Sequence, residues 1–174
     1  MRKSFLLIAF VLGFCLGFQK SYSQNSPSVA IVLNEYCTSN VNGPADYFGV
    51  MSDWVELLNI HTNSVSLNGY YLSNDRYNLK KWAFPSYFTL NPGQLGVVWL
   101  SGRNTPFVGG QYHANFTLDQ CKGQWLILST STGVIRDSVF IQKTKPNHTR
   151  GRIKYNSIGQ EQWRLYTTNS QALA

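Results

Sequence analysis

The stretch Asp53-Trp54-Val55-Glu56-Leu57-Leu58-Asn59 sets Val55 and Leu57 on one face and Trp54, Glu56 and Leu58 on the other. A period of two over this length is that of a β-strand with one face turned to a core. The pattern recurs on both sides of it. Upstream, Val29, Ile31 and Leu33 alternate before Asn34-Glu35-Tyr36. Downstream, apolar runs lie at 67–72, 82–84, 95–100, 115–118, 125–128, 134–141, 151–155 and 163–166, separated by Gly, Pro, Asn and Ser. Asn91-Pro92-Gly93 reads as a tight turn, with Pro fixing φ and Gly accepting a positive one. Residues 130–133, Thr-Ser-Thr-Gly, read as a hairpin connection. No window after residue 24 repeats every 3.6 residues, so no long helix is expected. About nine short strands with regular turn signals predict an all-β sandwich or barrel.

Composition agrees with that class. Hydrophobic residues make up 43% of the 174, aromatics 14% and charged residues 13%. A charged share about half the usual 25% suits an extracellular β-rich module. The N-terminus gives a reason for export. Arg2 and Lys3 precede an unbroken apolar run from Phe5 to Phe18, followed by polar Gln19-Lys20-Ser21-Tyr22-Ser23-Gln24. This is the order of a secretory signal peptide, with cleavage expected near Ser23 or Gln24. The run is shorter than the roughly 20 residues a membrane span needs, so no transmembrane segment is expected once it is removed. Residues 1–24 hold Arg2, Lys3 and Lys20 and no acid. The remainder therefore carries three fewer positive charges than the whole chain's +7, a net +4. That mild excess permits weak nucleic-acid or glycan adhesion but has no dense basic run behind it.

Several segments taken in order carry a family resemblance. Asn34-Glu35-Tyr36 is followed by Ser52-Asp53-Trp54-Val55-Glu56-Leu57 and then by Leu67-Asn68-Gly69-Tyr70-Tyr71-Leu72-Ser73-Asn74-Asp75. Lys81-Trp82-Ala83-Phe84-Pro85 comes next, then Leu90-Asn91-Pro92-Gly93 leading into Val97-Val98-Trp99-Leu100-Ser101-Gly102. Gly151-Arg152 and Trp163-Arg164-Leu165-Tyr166-Thr167-Thr168 close the series. Over residues 29–168 this resembles the lamin tail domain in its bacterial extracellular form. The resemblance implies an immunoglobulin-like β-sandwich over residues 25–168, without catalytic machinery or cofactor, at the cell surface or secreted. It implies a protein or polymer partner at the cell exterior. Members of this type commonly continue into further domains, so residues 169–174 are expected to be a tail or the start of a linker in a longer polypeptide.

Little in the chain suggests chemistry. His61, His113 and His148 lack the spacing of metal ligands. The loop from Asn40 to Asp53 holds some oxygen donors but no EF-hand pattern. Glu35 with Glu56, or with Asp53, is the sensible acid pair for hydrolysis. Cys37 and Cys121 are left as either a disulfide permitted by export or two small thiols. Trp54, Trp99, Trp125 and Trp163 are expected in the core. Tyr47, Tyr77 and Tyr87, near loops, are the aromatics expected at the surface, available to stack on a partner. Asn115-Phe116-Thr117 and Asn147-His148-Thr149 match glycosylation sequons, and Asp137-Ser138-Val139 resembles an O-glycosylation pattern of some exported Bacteroidetes proteins. All three would suit surface positions. The leading reading is an interaction module. A carbohydrate- or nucleic-acid-binding module beside a secreted hydrolase or nuclease is the alternative.

Overall fold

The computed structural model describes residues 30–154 and 162–167. The segment 1–24, expected to be a signal peptide, and the residues 169–174, expected to be a tail or linker, lie outside the described residues. Within them are twelve strands in three sheets and no helix. The strands are β1 (Ile31–Cys37), β2 (Asp53–Asn59), β3 (Val65–Ser66), β4 (Tyr70–Ser73), β5 (Trp82–Ala83), β6 (Thr89–Leu90), β7 (Leu95–Leu100), β8 (Tyr112–His113), β9 (Trp125–Thr130), β10 (Ile135–Phe140), β11 (Thr149–Lys154) and β12 (Gln162–Tyr166). One sheet runs β12-β11-β1-β2-β7-β8, a second β10-β9-β4-β5, and β3 pairs with β6. The two larger sheets share one core. Leu33, Val55, Leu57 and Val98 from the first meet Leu72, Trp82, Leu126 and Val139 from the second. This is the expected immunoglobulin-like sandwich, with alternate strand residues filling the space between sheets.

Both predicted turns form. Gln94 N–H donates to Asn91 C=O at 2.9 Å with Gly93 at φ 72°, and Gly133 N–H donates to Thr130 C=O at 2.9 Å. The expected strand over 115–118 does not form. Ala114, Phe116 and Leu118 still point into the core, which explains the alternating pattern. The carbonyls of Phe116 and Thr117 accept from Gly102 N–H and Asn74 Nδ2, so no ladder builds there.

The tryptophans divide differently from the expectation. Trp82 fills the space between the sheets, whereas Trp54 and Trp99 pack with Cys37 in a separate cluster. Trp54 and Trp99 face each other across β2 and β7 in the register that turns Val55 and Val98 inward, so they lie on the outer face of the six-stranded sheet. Trp163 packs at the margin of the core and Trp125 is half-buried.

The loop 38–52 crosses between β1 and β2 and is pinned by amides. Asn40 Nδ2 donates to Pro44 C=O at 2.8 Å and Ser52 C=O at 2.9 Å, and its Oδ1 accepts from Gly43 N–H. Asp46 accepts from the N–H groups of Phe48 and Val50 and from Ser52 Oγ. Removing a buried polar partner leaves its neighbours unsatisfied. Asn40→Ala should therefore cost about 1–2 kcal/mol in urea unfolding.

Candidate functional site at the β7 edge

β8 is two residues long and pairs in parallel with Val98 and Trp99 of β7 alone. Just before it the chain turns through Gly109 and Gly110, both at positive φ, closed by Val108 and Gln111 bonding in both directions. Glycine is needed at this turn twice over: for the left-handed backbone, and because a Cβ on Gly109 would run into the Tyr47 ring. Beyond the turn, beside Leu95–Val97, lies a groove of about 330 Å³. Its walls are Phe88, Thr89 and Leu90 on one side and Gly110, Gln111 and Tyr112 on the other. No charged side chain lines it.

Aromatic rings gather next to this groove. Tyr112 lies 4.3 Å from Phe88 and 5.0 Å from Phe107 between ring centroids, and Tyr87 lies 5.8 Å from Phe107. Tyr87 is 59% exposed and Phe107 47%. Burial, with Tyr87 beside it, pushes the Tyr112 phenol up, so it remains a neutral hydroxyl at physiological pH. On the other side of the Gly109–Gly110 turn, Tyr47 packs on Gly109 and donates its N–H to Gln111 Oε1 at 2.6 Å. Phe48, Val50 and Met51 continue an exposed apolar strip along the loop. Sequence patterning had pointed to Tyr47 and Tyr87 but not to Phe107, Tyr112 or the groove. The structure brings Tyr47 and Tyr87 to opposite sides of one turn. Tyr77 is fully exposed but sits elsewhere, beside Arg76 and Lys81, where Arg76 stacks on Trp125 at 4.1 Å.

The other singled-out residues do not make a site. Glu35 and Glu56 are direct cross-strand partners on β1 and β2, and both are buried from a substrate. Asp53 starts β2, and burial raises its pKa to about 6. Asp46 is committed to its own loop. Ser101 Oγ lies 3.0 Å from His113 Nδ1, a pair the sequence did not suggest. His113 is buried under the Phe48 ring, however, and burial lowers its pKa, so the pair ties β8 to the end of β7.

The bridge weighed for Cys37 and Cys121 is absent: both are free thiols. Cys37 points to the outer-face cluster with Trp54 and Trp99, while Cys121 is exposed in the loop before β9. Burial pushes the Cys37 thiol up to about 11, leaving it protonated and inert. The two sequon asparagines are engaged in structure. Asn115 Nδ2 donates to Lys81 C=O, and Asn147 Oδ1 accepts from Val41 and Asn42 N–H. Asp137 of the third pattern is buried in an ion pair.

An immunoglobulin-like sandwich with a ring-lined groove and exposed loop aromatics belongs to the class of interaction modules. The lamin tail domain family matches residues 24–143, well over half of the chain, and the chain belongs to that family. It is a family of non-catalytic immunoglobulin-like domains. Strands β11 and β12 lie past the matched segment, yet β11 pairs with β1 to extend the same sheet. Comparison with curated proteins gives no match. No helix of the described residues is long and apolar enough to cross a membrane.

Proposed function

We propose that this chain is an exported, non-catalytic interaction module that holds a protein or polymer partner at the cell exterior, as an accessory or tethering domain. The observation that carries the reading is the half-exposed ring cluster of Tyr87, Phe107 and Tyr112 beside an uncharged groove. Flat rings give large contact area at little conformational cost, and interface hot spots are enriched in them. The glycan-binding alternative would use the same rings together with the Gln94 and Gln111 amides. Nucleic acid fits less well, because its affinity rests on cations meeting phosphates and the groove offers none.

The test uses the protein purified from its own cells. It should begin near Ser23 or Gln24 and bind the cell-envelope fraction. Replacing Tyr87 and Phe107 together by serine should weaken that binding at least about tenfold, as for loss of one hot spot. Tyr77→Ser, which removes an exposed ring outside the cluster, should leave it unchanged. A cytoplasmic chain retaining residues 1–24, or equal binding by the double variant, would overturn the proposal.

A further inference from the structure

The groove runs along an open strand edge. All pairs between β2 and β7 share one register, and Asn59 N–H donates to Gln94 C=O. In an antiparallel ladder the residues that bond to a given neighbour alternate. Gly96 and Val98 therefore bond towards β2, while Leu95, Val97 and Trp99 turn their backbone groups the other way. The bond from Ala114 N–H to Trp99 C=O, on the β8 side, agrees with this assignment. β8 covers Val98 and Trp99, then the chain leaves the edge through Gly110 and Gly109. Among the described residues no strand pairs with Leu95, Gly96 or Val97 on that side.

Open edges in folded proteins are usually blunted by charge, proline or a bulge. This one carries none of them. Its register against β2 is unbroken, and Leu95-Gly96-Val97 is apolar throughout. Gly96 faces inward, where a Cβ would stand 2.8 Å from Leu90 and 2.9 Å from Phe88, so the strand lies close against the groove wall.

We infer that this edge takes a short extended peptide from a partner protein, added as a strand that prolongs β8 along β7. Backbone groups are recognised by backbone, which a glycan cannot supply in register. The neutral lining calls for an uncharged segment, since a buried unpaired charge on the peptide would meet no counter-charge. Tyr112, at the β8 end of the groove, offers an anchor for an apolar side chain. The inference rests on the interaction-module reading and gives it a partner class and a docking mode.

The probe is a phage-displayed library of random eight-residue peptides, selected against the full chain, with the recovered binder then synthesised. Bound peptide should slow hydrogen exchange at the Leu95 and Val97 amides at least about tenfold, as expected for newly bonded amides. N-methylation of alternate peptide nitrogens should weaken binding about tenfold or more, as for loss of a buried bond, while the intervening nitrogens tolerate it. Val97→Pro removes one edge donor from the protein side, and the methylated peptides probe the same bonds without touching the fold. Four outcomes would overturn the inference: recovery of no binder, binding indifferent to N-methylation at every position, edge protection arising from a second copy of the chain, or occupation of the groove by polysaccharide alone. If the Tyr87 and Phe107 variants lose envelope binding while no peptide adds at Leu95–Val97, strand addition fails and the ring surface stands. The opposite result removes the ring surface and keeps the edge.

Discussion

Asp137→Ala should destabilise the protein by about 3–5 kcal/mol in urea unfolding, the range for breaking one partner out of a buried ion pair. Asp137 on β10 and Arg152 on β11 are both 2% exposed in their side chains, with Nη2 and Oδ2 2.7 Å apart. The same carboxylate oxygen accepts from Leu33 N–H at 2.7 Å, and Arg152 Nε donates to Leu33 C=O at 3.0 Å. The guanidinium also lies 4.9 Å from the Trp163 ring. One ion pair thus joins β10 of one sheet to β1 and β11 of the other, at the β1 bulge between Leu33 and Glu35. Removing Asp137 leaves a guanidinium in the core and takes a bond from Leu33. Arg152→Ala should cost a similar amount for the mirror reason. The double variant should cost less than the two singles summed, because the bond between the two side chains is lost in each single and counted only once in the double. It should still not return to the native value, since Leu33 loses bonds at both N–H and C=O. A fully additive cycle would show that the two side chains do not act as a pair.

The sequence made the inside of this fold easier to read than its rim. Long strands such as β2 and β7 announce themselves because apolar residues fill six or seven positions between turn signals, as alternation in β2 and as a dense apolar run in β7. β3, β6 and β8 are two residues each, too short for any period to register, and their pairing is set by tertiary contact. β8 matters most, since its shortness creates the groove. The turn that precedes it is Gly109-Gly110, a pair that tells of a bend in the chain and not of what the bend leaves uncovered. The ring cluster was half legible. Tyr87 and Tyr47 stood near turn residues, whereas Phe107 and Tyr112 are brought to them by folding. The outer-face packing of Trp54 and Trp99 was hidden for another reason. Alternation tells which residues share a face, and both faces of β2 are largely buried.

That second buried face produces the other large effect. Glu56 lies on it with 0% exposure, between Glu35 and Val97 across the two neighbouring strands. Its Oε1 accepts from Asn34 Nδ2 at 2.6 Å, while Oε2 is buried with no hydrogen-bond partner. Burial first, and the nearby Glu35 carboxylate second, raise its pKa to about 7, against the partial offset from Asn34. An acid raised in the folded state binds its proton more tightly there than in the unfolded chain. Its stabilising contribution is then complete below the unfolded value of 4.5 and is lost as pH rises to about 7. At roughly 1.4 kcal/mol per unit, the loss amounts to about 3–4 kcal/mol at most. Glu56→Gln has the shape of the protonated acid and keeps the Asn34 bond. It should match the native protein in urea unfolding at pH 4 and exceed it by about 2–3 kcal/mol at pH 8, with the gap opening between those limits. Asp53, which also titrates in this window, is common to both proteins and cancels in the difference. A gap that is constant with pH would mean that Glu56 is ionised throughout, with its charge met by a partner in the folded state.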